Sequence, residues 1–592
     1  MRFAIPFARW RTALQESVER FPLVLLCSTG AAGSLIYSIY HDQEPGVQGQ
    51  CGRLAMTVAL GIPLCFSLRL LRERTPALAR LPLEWLGLPL LALWWWAQPA
   101  RTFDGPEIYF IRWLLLLAAL HFFAAVSGYL RFRESLGFWQ FNRQLFLRFC
   151  LATLYSAVLT VGLELALLSA RQLFELKIDR AFPSLFLLMA GCFHPAFVLA
   201  GVPGDFATLE ADETYPRGLK AFSQFALAPL VAVYTAILYA YALKILLARS
   251  WPHGWVALPV LVLAGVGIFA ALLLHPLRIR EEETWARWFG RNFPRALAPL
   301  SILLLLSVRL RIVDYGVTES RYLGVVAGFW ILGWSLVFIV RQKAGIRWIP
   351  ISLGVIACLA AYGPWSAGAI SERSQLKRFV DLLRTHQLWA GNTAQASAEP
   401  LKLSTAETER LRSSLTYLLQ MQGPEALRPL LTNVVDVAKL KNRYDTNGIL
   451  NALHIVTESS GRDLANQSDS VMAHRDQTNE LPIEGYRRLW QVALLGGDSG
   501  NWSPKKFGSI SIGLSDGKIA VVGAGETAPQ ILSLPPALMT SIENAADLQV
   551  DSSTIYFQSS GHDYRLVFDN VALKKWPDGP RISNCTFVLL EK

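Results

Sequence analysis

Residues 309–322 read RLRIVDYGVTESRY and form the densest polar cluster at any predicted bend of the chain. Arg311, Asp314, Tyr315, Gly316, Thr318, Glu319, Arg321 and Tyr322 crowd together here. Acids and bases this close could hold a charged ligand or exchange a proton with one. They could also pair with each other, Arg311 with Asp314 or Glu319 with Arg321, and do no more than tie a helical hairpin. Gly316 offers the positive φ that a tight reversal needs. Thr318 stands at an N-cap position, with its hydroxyl in reach of the amide near Arg321. A second candidate is Glu164, flanked by Leu163, Leu165 and Leu167 in an apolar run. A carboxylate there costs about 2.5–3.5 kcal/mol in hydrocarbon, so it serves either a proton or substrate path or a hydrogen bond to a neighbouring helix.

Other chemistry is not encoded in recognisable form. The sequence has no Walker loop, HExxH, GxSxG or CxxC, and Gly523-Ala524-Gly525 lacks the rest of a dinucleotide fingerprint. The nine His are scattered, without metal-ligand spacing, so no catalytic residues, metal or cofactor are expected. Of the seven Cys, Cys27, Cys65, Cys150, Cys192 and Cys358 fall in or beside apolar runs. Cys51 and Cys585 do not, and they form a candidate disulfide, the alternative for Cys585 being an ordinary buried residue at a strand.

The bend can sit where it does only if the runs on either side cross a membrane. Hydrophobic residues make up 52% of the 592, charged residues 17%, and the mean hydropathy is +0.32. That composition is outside the soluble range and predicts an α-helical polytopic membrane protein. Eleven apolar runs are candidate transmembrane helices: 21–40, 54–71, 81–97, 108–130, 145–170, 181–202, 218–247, 256–277, 296–310, 323–340 and 348–367. The first has no small-residue cleavage site after it and reads as an uncleaved helix. The run at 81–97 is short and carries Glu84, and dropping it would invert everything after it. With the N-terminus cytoplasmic, twenty Lys and Arg fall in the inner connections and eight in the outer. From 368 onward 23 Lys and Arg meet 24 Asp and Glu, so the basic excess belongs to the membrane part. It suits the positive-inside bias, with the lipid bilayer as partner and no nucleic acid.

Residues 1–367 therefore form a transmembrane domain, 368–500 a mainly helical extracytoplasmic region and 501–592 a small antiparallel β domain, a C-terminal soluble α+β region. In the helical region Leu376, Phe379, Val380 and Leu383 recur at helical spacing, Ser404 and Glu407 make a capping box, and 425–440 reads as a further helix. Beyond 501 the period drops to two, with a hairpin through Ser515-Asp516-Gly517.

The strings YPRGLK at 215–220, HP at 275–276, YGVTESRY at 315–322 and GPW at 363–365 with SERSQ at 371–375 carry a resemblance. Through them the chain resembles a bacterial multi-pass family known as domain of unknown function 4153. The resemblance implies an inner membrane, a polytopic N-terminal part and an extracytoplasmic tail, and it implies no activity. The expectation is an uncharacterised inner-membrane protein acting as a non-catalytic envelope scaffold or sensor, with an envelope protein or lipid partner. The alternatives are a transporter and a membrane enzyme acting on lipid or cell-wall precursors.

Overall fold

The computed structural model describes residues 7–44, 46–98, 107–130, 135–248, 257–279, 283–341, 345–397, 399–434, 446–456, 470–474, 486–495, 505–515, 518–523, 529–532, 554–559, 561–576 and 579–592. These divide into two compact units: Met1–Ala396 with Glu409–Leu453, and Ser397–Thr408 with His454–Lys592. That grouping cuts across the expected boundaries at 367 and 500.

The first unit is helical, because a chain in hydrocarbon must satisfy its backbone N–H and C=O groups within each segment. Its helices are α1 (Phe7–Arg20), α2 (Pro22–Tyr40), α3 (Val47–Arg74), α4 (Gly87–Ala97), α5 (Ile108–Ser127) and α6 (Ser135–Phe174). Then come α7 (Ala181–Leu188), α8 (His194–Leu199), α9 (Phe206–Ala211), α10 (Arg217–Phe222), α11 (Ala228–Ala248), α12 (Ala257–Leu273) and α13 (His275–Ile279). The long pair α14 (Thr284–Tyr315) and α15 (Glu319–Val340) precedes α16 (Trp348–Ala361) and α17 (Ala367–Thr385). After the short hairpin β1 (Trp389–Ala390) and β2 (Thr393–Ala394) come α18 (Thr405–Met421), α19 (Arg428–Leu431) and α20 (Thr446–Ala452). The helix expected over 425–440 is met by a 3-10 turn and α19, and its remainder lies outside the described residues.

Eight helical stretches among the described residues are long and apolar enough to cross a membrane, counting α7–α8 and α10–α11 each as one. α12 and α16 are apolar but shorter, at 17 and 14 residues. The run expected at 81–97 is a 3-10 turn, Leu83–Leu86, followed by the 11-residue α4. At 1.5 Å per residue α4 alone reaches only about 16 Å, roughly half the hydrocarbon thickness.

α3 is the central helix, with 61% of its apolar window buried, whereas α7–α8 has 6% and α6 has 11%. The last two present most of their surface away from the chain, where lipid tails are as good a solvent as leucine. The core gathers Leu60, Leu70, Leu263, Leu297, Leu300 and Leu304, all essentially inaccessible. α12 and α14 approach closely because the Phe293 ring lies over Gly267, where any Cβ would collide with it. Two π-helical turns, Met189–Phe193 and Ser223–Leu227, interrupt the sixth and seventh runs. Each precedes a proline, Pro195 or Pro229, by one residue. Proline has no N–H for the carbonyl four residues back, and the wider turn re-spaces the ladder around the missing donor.

The helix ends sort into two faces. On one, Arg74 Nε donates to the Gly128 carbonyl at 3.1 Å, Arg347 Nη1 to that of Tyr129 at 3.4 Å, and Arg20 Nη1 to that of Val202 at 2.9 Å. This basic face is rich in acids as well. Glu73 binds Arg20 and Arg69, Glu84 binds Arg69 and Arg72, Arg74 pairs with Glu210, and Lys220 pairs with Glu283. On the other face Ser34 Oγ donates to the Cys51 carbonyl at 2.8 Å, Arg180 meets Asp42 at 2.9 Å, and Arg53 reaches the Trp95 carbonyl.

The second unit begins with β3 (Leu401–Lys402) parallel to β4 (Ile455–Val456). Its main body is two antiparallel sheets. One takes β5 (Ser470–His474), β6 (Arg488–Leu495), β11 (Thr554–Ser559), β12 (His562–Trp576) and β13 (Gly579–Glu591), in the order β11-β12-β13-β6 with β5 also on β12. The other is β10-β9-β8-β7, from β7 (Lys505–Phe507), β8 (Ile510–Ser515), β9 (Lys518–Gly523) and β10 (Gln530–Leu532). The expected hairpin is β8–β9, with Ser515 opposite Lys518. Ile510, Ile512, Ile519 and Val521 of one sheet share a core with Phe557, Leu566, Phe568 and Phe587 of the other. Two of the strands, β5 and β6, come from before residue 500. Leu489 and Trp490 stand side by side in β6, without the period-two alternation that signals a strand from sequence.

Candidate functional site

The 309–322 bend is built on two flanking helices. α14 ends at Tyr315, Gly316 N–H closes onto the Ile312 carbonyl at 2.8 Å, and Gly316 takes φ +74°. A Cβ at that position would stand 2.5 Å from Arg378 Cδ and 2.8 Å from Gln375 Nε2. The glycine is therefore required twice, for its backbone angle and for the approach of α17.

α17 meets the bend with a polar face. Ser371, Ser374, Gln375 and Arg378 recur at i, i+3, i+4 and i+7 and so lie along one side of the helix. Gln375 Nε2 donates to the carbonyls of Tyr315 and Val317, both at 3.0 Å, and Ser374 Oγ accepts from the Val317 N–H at 3.0 Å. Arg378 Nη2 donates to the Asp314 carbonyl at 2.9 Å. Gln375 Oε1 in turn accepts from Ser414 Oγ of α18 at 3.2 Å. Phe379 and Leu383 continue the buried Ser371–Gln375 line at i+4 steps, as its apolar extension. Sequence reading found that apolar stripe and missed the polar one, although the spacing of SERSQ and Arg378 contained it.

Neither expected internal ion pair organises the bend. Arg321 Nη1 donates to the Gly316 carbonyl at 2.8 Å and the Tyr315 carbonyl at 3.2 Å, and its guanidinium lies 5.4 Å from the Tyr315 ring centre. Glu319, 3% exposed, instead accepts from the Tyr417 hydroxyl of α18 at 2.6 Å. A side chain two positions along a helix points away, whereas the donor 98 residues downstream faces the carboxylate. Burial and the Glu319 carboxylate both push the Tyr417 phenol above its ordinary range, so it remains a proton donor. Thr318 does hold the extended N-cap conformation, but its hydroxyl meets the Ser320 hydroxyl at 3.2 Å and makes no cap bond to an amide. Tyr322 donates to the Trp365 carbonyl at 2.7 Å. The start of α5 joins the same assembly through Glu107 N–H to the Gln420 carbonyl at 3.1 Å.

Chemically this is a mount. The carbonyls of residues 314–317 and the Glu319 carboxylate are occupied by donors from the same chain. Among the described residues no group of three or more His, Cys, Asp or Glu is placed to hold a metal ion. Glu164 is half-buried on α6, without a hydrogen-bond or ion-pair partner among the described residues. Cys51 and Cys585 both carry free thiols. Cys585 packs in the sandwich core, where burial pushes its thiol up to about 12.

The YGVTESRY and SERSQ strings thus hold each other, which gives a physical reason for their joint presence. No solved structure matches the chain. An uncharacterised protein of Pasteurella multocida (strain Pm70) is 27% identical over 379 residues, covering 62% of this chain. The match spans 60% of that protein's length. The family described as domain of unknown function (DUF4153) matches residues 29–389, more than half of the chain. The protein is a multi-pass membrane member of that family.

Proposed function

We propose that the protein is a non-catalytic inner-membrane scaffold or sensor of the bacterial envelope with an extracytoplasmic C-terminal region. The observation that carries this reading is the bend itself. Its backbone carbonyls and the Glu319 carboxylate are bonded by α15, α17 and α18, the arrangement of a joint.

The accompanying topology is eleven crossings. The 3-10 turn before α4 is tied to the basic end of α3 by Arg72 to Glu84 at 2.5 Å, and the end of α4 is tied to the other end of α3 by Arg53 to Trp95. The segment 83–97 therefore runs antiparallel to α3 between Arg72 and Arg53. α5 starts at the bend face, beside α18, and finishes at the basic face beside Arg74. These ties support counting 83–97 and α5 as two crossings, and the odd total further takes the shorter α12 and α16 as crossings.

A transporter would want a polar cavity at mid-membrane and a lipid enzyme a groove leading to Asp314 and Glu319. A cleft among the described residues, which reaches α15 at the mid-helix Trp330, is lined almost wholly by apolar side chains and favours neither. The test is complementation of a deletion strain by a chain ended after Leu453. A scaffold or sensor loses its phenotype with the strand-rich unit although the truncated protein accumulates. Full complementation by the truncated chain would overturn the reading.

A further inference from the structure

A cavity of 530 Å³ lies between α5, the start of α6, the end of α12, α15 and the start of α16. Its walls are hydrocarbon and aromatic, with Phe146, Phe269, Trp330 and Leu353 among them, and its two non-indole polar residues are Asn142 and Arg143. The size is within the roughly 300–1,000 Å³ of small-molecule sites. Water is a poor filling, because each molecule needs two to four polar partners. Asn142 offers only its Oδ1, since both N–H groups already donate, to the carbonyls of Ala125 and Phe138 at 3.0 and 2.9 Å. The tryptophan N–H groups are engaged as well: Trp330 Nε1 donates to Ser352 Oγ at 2.9 Å and Trp139 Nε1 to the Leu272 carbonyl at 2.8 Å.

Arg143 is different. Its contacts are long, 3.6 Å to Asp212 and 3.5 Å to the Thr214 carbonyl, and its buried Nε has no partner among the described residues. A guanidinium is built to take a phosphate through two parallel N–H groups, and here one stands at the basic end of an apolar cleft, held by these long contacts and by the Trp139 ring 5.4 Å away.

We propose that this cleft is a binding site for an anionic membrane phospholipid, with an acyl chain against Phe146, Phe269 and Leu353 and the phosphate on Arg143. In a bilayer the acyl chain is the abundant apolar molecule, and a cation at the headgroup end complements its charge. The site is far from the bend and does not depend on the scaffold reading.

The full chain, reconstituted in phosphatidylethanolamine vesicles with a trace of phosphatidylglycerol bearing a diazirine on its acyl chain, would be photolabelled and the adducts mapped by mass spectrometry. Labelling should concentrate at least fivefold on the peptides carrying Phe146, Phe269 and Leu353 over the exposed Leu173 and Leu247. Gly265 lines the cleft and a Cβ there meets no atom within 4 Å, so Gly265→Leu places its side chain into the cleft from an unobstructed Cβ. That variant should lose at least fivefold of the cleft labelling with its melting temperature unchanged. If it fails to accumulate, Gly265→Ala gives the graded version of the same loss. Arg143→Gln should reduce labelling several-fold for phosphatidylglycerol but not for an equally labelled diacylglycerol. Uniform labelling of all lipid-facing helices, or cleft labelling indifferent to Gly265→Leu, overturns the site. Equal wild-type labelling by the diacylglycerol overturns the role of the phosphate.

Discussion

Glu319 shows how one donor decides the fate of a buried carboxylate. It is almost inaccessible, and Tyr417 supplies its short hydrogen bond from α18. A bond to a charged group contributes about 1.5–3 kcal/mol, and removing the donor alone leaves the acceptor desolvated and unpaired. Tyr417→Phe should therefore destabilise the first unit by about 2 kcal/mol. The same change in a Glu319→Leu background should cost distinctly less, and a double-mutant cycle of unfolding in detergent would measure the difference. Equal costs in both backgrounds would mean that the bond contributes nothing. Gly316 makes a sharper case, since φ +74° disfavours any side chain and a Cβ would press on Arg378 and Gln375. Gly316→Ala should cost at least about 1 kcal/mol, read as a lower melting temperature. Exchanging Glu319 and Arg321, harmless if they were partners, should instead lower accumulation, because each has its own partner elsewhere.

Helices carry the polar mount, and there the sequence was half legible. The positions of the apolar runs, the glycine in the bend, the Ser404–Glu407 capping box and the β8–β9 hairpin could all be read, because each depends on neighbours close in sequence. The capping box closes in both directions, Ser404 N–H to Glu407 at 3.2 Å and Glu407 N–H to Ser404 Oγ at 3.3 Å. Three things could not be read. The partners that α17 and α18 offer residues 314–319 come from 57 to 98 positions away. The acids that neutralise Arg74 and Lys220 are similarly remote, and these arginines and lysines looked like simple topology markers. The split of 81–97 into a 3-10 turn and α4 depends on Arg69 and Arg72 gripping Glu84 at 3.2 and 2.5 Å. For α17, Gln375→Leu keeps the volume and removes both carbonyl bonds, so a chain with that change should accumulate at a fraction of the normal level in membranes, by immunoblot. Glu164 calls for the opposite expectation. With no partner in the described chain, a charge on a helix facing lipid is a cost of folding. Glu164→Gln should accumulate at or above the normal level, and a marked fall would reveal that another molecule pairs with it.

At the scale of the whole chain, the arrangement of helix ends and the distribution of charge point the same way for independent reasons. The ends tied together by Arg20, Arg74 and Arg347 are those whose connections carry most of the Lys and Arg. Their local pairing with Glu73, Glu84 and Glu210 does not weaken the inference, because orientation follows Lys and Arg rather than net charge. The critical segment is 83–97. An 11-residue helix is too short to span alone, yet with the 3-10 turn before it the segment joins Glu84 at one end of α3 to Trp95 near the other. Counted as a crossing, it makes the total odd and puts the bend, α17 and everything after them opposite the N-terminus. An alkaline phosphatase fused after Lys592 should then be active and a green fluorescent protein at the same place dark. Fusions after Arg80 and after Gln98 isolate the segment itself: the first should be fluorescent with inactive phosphatase, the second the reverse. If both behave alike, 83–97 does not cross, the count is even, and the C-terminal region belongs to the cytoplasm.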